Sequence, residues 1–291
     1  HDENTRIDSR PRLAPGPTDY RVKPWLEYNA LQAIYEYFEK LGNPGLGAIR
    51  VLDFIQNPQT IIMDEHSDPS LLSLFAKTNR LNHLRGRAPD LRRAIFNAGA
   101  WLKAYSTIPK VENVITRLPH REDFNESVVN FAGFLGRISG DASFFQRVEK
   151  TVIPAANKIM PGHLPLGLGH GDYAMRNILV GANDRITAFD TCAKWKVPIY
   201  EDIAYFLVQL ETNGLQVLTQ GFAIHARTLA AYKREFLTGY FGETQIPIEM
   251  IRLFQIQSLL DSWSSRVSMN TRQYAGINMV YPKLHLTLLN R

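Results

Sequence analysis

The chain has 291 residues, enough for one large domain or two lobes, of which 45% are hydrophobic and 21% charged. Those proportions exclude wholesale disorder, a collagen repeat and a coiled coil. A single cysteine, Cys192, excludes an intrachain disulfide framework and a CxxC metal site. The net charge of +5, from 33 basic and 28 acidic residues, permits an anionic ligand such as a nucleotide but is weak evidence for a DNA-binder, and no nucleic-acid partner is expected. The charged start His1–Arg6 is followed by no signal-peptide apolar core, and no long apolar run occurs. The expectation is a cytoplasmic protein without a membrane span.

Residues 1–20 hold Pro11, Pro15 and Pro17 and read as an irregular arm. From Trp25 a helix is expected, because Leu31, Ile34, Tyr35 and Phe38 recur at i, i+3, i+4 and i+7. Gly42-Asn43-Pro44-Gly45 ends it. Val51–Ile55 and Thr60–Met63, around Asn57-Pro58, read as an antiparallel hairpin. The densest basic stretch follows: Lys77, Arg80, Arg85, Arg87, Arg92 and Arg93, with only Asp90 against them. It reads either as a solvated loop and helix face or as an anion- or membrane-surface patch.

Ala94–Thr107 carries Ile95, Ala98, Leu102 and Tyr105 on one side and reads as a helix. Residues 125–160 are mostly helical in pattern, Ile178–Val180 and Arg185–Phe189 are two short strands, and Ile203, Phe206, Leu207 and Leu210 mark another helical stripe. The remainder to about residue 267 reads as mainly helical. A small N-terminal part with strands and one helix thus precedes a large helical part that carries one β-hairpin.

The chemistry concentrates in His170-Gly171-Asp172-Tyr173-Ala174-Met175-Arg176-Asn177-Ile178-Leu179-Val180, followed by Ala188-Phe189-Asp190. Asn177 enters the first strand and Asp190 leaves the second, with Gly181-Ala182-Asn183-Asp184 as the turn. Both polar residues therefore lie at the open end of a hairpin whose strands are ~4.8 Å apart. An amide oxygen and a carboxylate held side by side can share a hard cation such as Mg²⁺. The intervening loop can hang Asp172 above them, where a substrate hydroxyl would approach a metal-bound phosphate. Phosphoryl transfer needs metal to neutralise phosphate oxygens and a carboxylate to orient the attacking hydroxyl and take its proton. The assignment is Asp172 as base, with Asn177 and Asp190 as metal ligands.

The pattern HGDxxxxN, with an aspartate ending the next strand, resembles the aminoglycoside phosphotransferase and choline kinase family. That family has the protein-kinase-like fold, and the resemblance is specific from Leu168 to about Leu210. Asp190 is followed by Thr191 rather than Phe-Gly, and Asp172 is preceded by Gly171 rather than Arg. Both departures favour the small-molecule branch over protein kinases. The resemblance places at Asp202, in Tyr200-Glu201-Asp202, a buried aspartate that braces the catalytic loop. His170 is expected to brace the same loop by hydrogen bonds, and Cys192 to be a small packed side chain.

The resemblance also implies a hinge that holds adenine through backbone groups. Ile61-Ile62-Met63-Asp64-Glu65-His66 matches it, with the Asp64 carbonyl and His66 amide as the contacts. It further implies a strand lysine on the phosphates and a helix glutamate paired with it. The candidates are Lys23, in Tyr20-Arg21-Val22-Lys23, and Glu27, although they stand only four residues apart. No GxGxxG or GxxxxGK[ST] occurs, and Gly42–Gly47 follows a helix and reads as a turn.

The expected architecture is α+β and two-lobed, protein-kinase-like, with a small, abbreviated strand-containing N-terminal lobe over 1–65 and a mainly helical C-terminal lobe over 66–291. The expected activity is an ATP- and Mg²⁺-dependent phosphotransferase acting on a small-molecule hydroxyl. A catalytically weak, pseudokinase-like nucleotide-binding module is the alternative. Residues 211–291 hold five acids and eight bases, a balance of +3, which favours a neutral or anionic acceptor over a polycation.

Overall fold

A computed structural model describes residues 23–109, 114–191, 193–213, 216 and 218–269. The arm expected over 1–20 and the packing of Cys192 lie outside them. In chain order the elements are α1 (Lys23–Leu41), β1 (Leu46–Gly47), β2 (Val51–Gln56), β3 (Gln59–Met63), α2 (Leu71–Phe75), α3 (Arg80–Leu84), α4 (Arg92–Ser106) and β4 (Ile115–Thr116). There follow α5 (Arg121–Ser139), α6 (Ala142–Ile159), β5 (Leu166–Gly169), β6 (Ile178–Val180), β7 (Ile186–Ala188), β8 (Trp195–Pro198), α7 (Tyr200–Thr212), α8 (Ala226–Phe241) and α9 (Ile248–Met269).

Contacts divide the chain into two compact units. Among the described residues, one joins the segment from 23 to 117 with that from 166 to 246, and the other joins 118–165 to 247–269. In the first unit, α1 buries Ala30, Leu31, Ile34 and Phe38, the stripe its spacing predicts, except that Tyr35 is only half-buried. Lys23 is the first residue of this helix, which corrects the expectation of a strand lysine there. Pro24 suits that helix start, because its missing N–H is one that a first turn leaves unbonded anyway. The β2–β3 hairpin forms where the alternation around Asn57-Pro58 predicts it, with Phe54 opposite Ile61.

The three-stranded sheet β1-β7-β6 is the platform for the loop that follows β5. In it Ile178 pairs with Ala188 and Val180 with Ile186, antiparallel, while Leu46 of β1 pairs in parallel with Ile186. Residues 46–47 are thereby built into the same unit as the β6–β7 hairpin. A second sheet, β4-β8-β5, carries the strand that leads into His170 and the strand that leads into α7.

Helices α4 and α8 approach through reciprocal glycines. A Cβ on Gly99 would lie 2.0 Å from the Phe236 carbonyl oxygen, and one on Gly239 would lie 2.0 Å from that of Phe96. Glycine is a poor helix residue, yet here it is what lets two backbones touch. The same constraint explains β5, where a Cβ on Gly169 would meet Val197 Cγ2 at 2.6 Å and one on Gly167 would meet the Ser106 carbonyl oxygen at 2.9 Å.

The second unit is a helical assembly. Phe124, Val128, Phe131 and Leu135 of α5 and Phe145, Val148 and Val152 of α6 are buried. Phe124 meets Phe254 of α9 at 5.1 Å and Phe145 meets Trp263 at 5.3 Å between ring centroids. Gly140, at φ +72°, terminates α5, and the Asp141 side chain accepts from the Phe144 N–H at 3.2 Å to start α6.

Candidate active site

The loop from His170 to Asn177 is held from below by three kinds of contact. The first is Asp202, buried in the first turn of α7, whose carboxylate accepts the backbone N–H groups of His170 at 2.7 Å and Gly171 at 3.0 Å. Burial pushes its carboxyl above the ordinary range, and these two N–H donors pull it back. This is the bracing geometry the sequence points to for Asp202. Gly171 sits at φ +82°, a turn conformation that glycine adopts without strain.

The second is an aromatic stack. Trp101 lies face to face with Phe38 at 5.0 Å, Tyr105 at 5.2 Å and Tyr173 at 5.6 Å, and its Nε1–H donates to the Gly47 carbonyl at 2.7 Å. Tyr173 is fully buried and its hydroxyl donates to the Ala98 carbonyl at 2.7 Å. The residue after Asp172 is thus an anchor driven into α4. His170 packs edge-on against Trp101 and Tyr173. Burial lowers its imidazole pKa to about 4, with Asp172 and the Phe189 backbone opposing the shift, so the ring is neutral at physiological pH. Neither ring nitrogen closes a hydrogen bond of ordinary geometry. His170 braces the loop through its backbone N–H on Asp202, while its ring packs among the aromatics.

The third is the loop's own turn. Ala174 N–H donates to the Asp172 carbonyl and Asn177 N–H to the Ala174 carbonyl, both at 2.8 Å. Ala174, Met175 and Asn177 point inward and are buried, whereas Arg176 is exposed and Asp172 half-buried.

The Asp172 carboxylate that this scaffold presents receives three donors. The Tyr205 hydroxyl donates to Oδ1 at 2.9 Å, Asn177 Nδ2 donates to Oδ2 at 3.0 Å, and the Arg176 guanidinium pairs with Oδ2. Asn177 Nδ2 also donates to the Asp172 carbonyl at 3.0 Å. Because its amide nitrogen is engaged on Asp172, the Asn177 Oδ1 is the group left to accept or to ligate. Burial and the neighbouring Asp172 charge push the Tyr205 phenol up to about 12, which keeps it a donor.

Asp190 follows directly. The Phe189 N–H donates to the Asn177 carbonyl at 3.1 Å, so Asp190 is the first residue beyond the pairing that ends beside Asn177. Its side chain is exposed, and its backbone lies at φ +63°, an uncommon and strained conformation for an aspartate. Thr191, buried next to it, holds the segment in place: its Oγ1 lies 2.7 Å from the Tyr105 hydroxyl. The structure therefore brings Asp172 and Asn177 into direct contact and sets Asp190 next in line. Among the described residues, no three or more His, Cys, Asp or Glu side chains converge as a metal cluster.

The remaining sequence candidates lie elsewhere in the same unit. Asp64 and His66 are exposed, immediately after β3, and the Asp64 N–H donates to the Arg50 carbonyl at 3.0 Å. Lys23 and Glu27 stand one turn apart on α1. Sequence reasoning missed Tyr205 and Arg176. Tyr205 is three residues after Asp202 on the same helix face, and Arg176 is four residues after Asp172. Both offsets were visible, but neither residue type announced a partner.

No protein-family model matches the chain, and none of the curated proteins does. Solved structures match its fold. A glucosamine kinase superposes with a TM-score of 0.59 at 12% identity, covering 90% of this chain and 70% of that one; the kinase is also known in complex with glucosamine, ADP and inorganic phosphate. A choline/ethanolamine kinase family protein from Mesorhizobium loti matches at a TM-score of 0.52 and 14% identity, over 94% of this chain and 79% of its own. An AMP-bound spectinomycin phosphotransferase matches at 0.53 and 14%, over 96% and 85%. The chain has the α+β, two-lobed kinase-like fold of these structures.

Proposed function

We propose that this chain is a phosphotransferase that moves a phosphoryl group from ATP to a hydroxyl of a small, neutral or anionic molecule, with Mg²⁺ as its metal. The observation that carries the reading is the Asp172 carboxylate, fixed by Tyr205, Asn177 and Arg176 on a loop braced by Asp202, with Asp190 beside Asn177. A carboxylate so oriented can receive an acceptor hydroxyl, align its oxygen and take its proton as the oxygen attacks. Tyr205 and Asn177 limit the rotation of that carboxylate, so its open lone pairs meet the acceptor in one direction.

The residues present fit Mg²⁺. The Asn177 Oδ1 and the exposed Asp190 carboxylate would hold it, an oxygen set small enough to leave positions for water and phosphate, as Mg²⁺ requires. When bound, the ion supplies positive charge to the phosphate oxygens. Asp64 and His66 are assigned to the adenine side through backbone groups, and Lys23 and Glu27 of α1 to the phosphate side. Residues 1–65 are assigned as the nucleotide-side lobe and 66–291 as the acceptor-side lobe.

Arg176 bears on the acceptor. An exposed guanidinium beside the base repels an ammonium-bearing acceptor and attracts an anionic one, in line with the basic balance of residues 211–291. The test is thermal unfolding with ATP in the presence and absence of Mg²⁺, followed by phosphate transfer to a panel of sugars, sugar phosphates, choline and aminoglycosides. Mg²⁺-dependent stabilisation with saturable transfer to a neutral or anionic acceptor is expected. Stabilisation without transfer to any acceptor would favour a nucleotide-binding module.

A further inference from the structure

The basic stretch that follows β3 meets a second segment to form a surface the catalytic reading leaves unused. Short helix α3 lies against the turn at 218–225: the Arg80 N–H donates to the Ala223 carbonyl at 2.9 Å, the Arg80 guanidinium sits 4.8 Å over the Phe222 ring, and the His83 and His225 rings are 6.1 Å apart. Four large apolar side chains on these segments face water. Leu84 is 84% exposed, Leu218 77%, Phe222 69% and Leu81 53%.

Their exposure is built in rather than accidental. In the turn, the Phe222 N–H donates to the Thr219 carbonyl, the Ala223 N–H to Thr219 Oγ1 and the Ile224 N–H to Gln216 Oε1. Gln216 and Ile224 are buried, while Phe222 between them in the turn is exposed. On the other segment, Asn79 caps α3 by accepting from Asn82 N–H at 3.0 Å, which fixes the helix that presents Leu81 and Leu84.

Within these two segments the charge has one sign. Residues 77–89 contain Lys77, Arg80, Arg85 and Arg87 and no acid, and residues 216–227 contain Arg227 and no acid. We infer that this face is a peripheral docking site for an anionic lipid bilayer, with Leu81, Leu84 and Phe222 entering the interface and the bases meeting lipid headgroups. A bilayer surface accepts apolar side chains and counter-charge together. A second copy of the chain would bring like charges face to face, and a nucleic-acid duplex, with its bases stacked on one another, offers no comparable place for exposed Leu84 and Phe222. This attachment is distinct from a membrane span: among the described residues no helix is long and apolar enough to cross.

The experiment is co-sedimentation of the full chain with vesicles of phosphatidylcholine alone and of phosphatidylcholine mixed with phosphatidylglycerol. The proposal expects binding to the mixed vesicles, little to the neutral ones, and a fall with salt. Arg85→Gln/Arg87→Gln should weaken binding by roughly fivefold for each base removed. Leu84→Ser/Phe222→Ser should weaken it at every salt concentration, and circular dichroism should show both variants folded because all four positions are exposed. Failure of the folded wild type to sediment with mixed vesicles overturns the proposal. So does binding to duplex DNA that matches vesicle binding and survives loss of Leu84 and Phe222, which would assign the face to a nucleic acid.

Discussion

The Tyr205 hydroxyl donates to Asp172 Oδ1 at 2.9 Å, across 33 residues of sequence, from the same helix whose first turn carries Asp202. One helix therefore holds the loop from His170 to Asn177 at two heights: Asp202 grips its backbone and Tyr205 the Asp172 carboxylate. Tyr205→Phe keeps the ring and removes only the donor. A hydrogen bond to a charged group is worth ~1.5–3 kcal/mol, so turnover should fall roughly tenfold to a hundredfold while nucleotide affinity holds. Steady-state kinetics beside a nucleotide titration would check it; a fall in nucleotide affinity instead would assign Tyr205 to binding.

Asp190 stores backbone strain at the position assigned to the metal. Asp190→Gly removes the left-handed penalty of about 1 kcal/mol and should leave thermal stability unchanged or slightly higher. The same change removes the carboxylate, so Mg²⁺-dependent nucleotide binding should be lost. Asn177→Ala should be milder, because an amide gives the cation a dipole and not a charge. A Mg²⁺ titration of both variants decides; a wild-type metal requirement in the Asp190 variant takes that residue out of the site.

Arg176 pairs with Asp172 on an exposed surface, so Arg176→Ala should change stability little, as such pairs contribute ~0–1 kcal/mol. Its effect should fall on acceptor choice, with amine-bearing acceptors gaining relative to neutral and anionic ones. Ratios of kcat/KM over the acceptor panel test this, and unchanged ratios would remove Arg176 from acceptor selection.

His170 makes stability depend on pH. Its folded pKa of about 4 lies below the ordinary histidine value of ~6.5. The neutral ring's contribution is complete above ~6.5 and is lost as pH falls toward 4, because the unfolded chain takes up the proton first; the loss is on the order of 3 kcal/mol. His170→Phe keeps an aromatic ring in the stack and removes the titration. Its unfolding free energy should decline less over that window than the wild type's, and equal slopes would place the acid sensitivity elsewhere.

Much of this was legible in the sequence because the decisive signals are local. The β2–β3 hairpin, the strands flanking Asn177 and Asp190, and the stripes on α4 and α7 are periodicities within a dozen residues. What stayed hidden depends on partners far along the chain. Leu166-Gly167-Leu168-Gly169 reads poorly as a strand, and its glycines make sense only once Ser106 and Val197 are seen against them. Gly99 and Gly239 look like helix weaknesses until their helices cross. The family resemblance asks for a strand lysine at Lys23, whereas the local chemistry at Pro24 favours a helix start. Tyr205 gives no sign of its role until folding sets its hydroxyl on Asp172.

The central claim is that Asp172 accepts a proton from an acceptor hydroxyl during phosphoryl transfer, and Asp172→Asn tests it most directly. The amide keeps the shape of the carboxylate and loses its basicity, so Mg²⁺·ATP binding should persist while acceptor-dependent phosphate transfer falls by roughly 10²–10⁴-fold. Measured with radiolabelled ATP and the wild type's best acceptor, that pattern is the predicted result; transfer by the Asp172→Asn variant at the wild-type rate would contradict it.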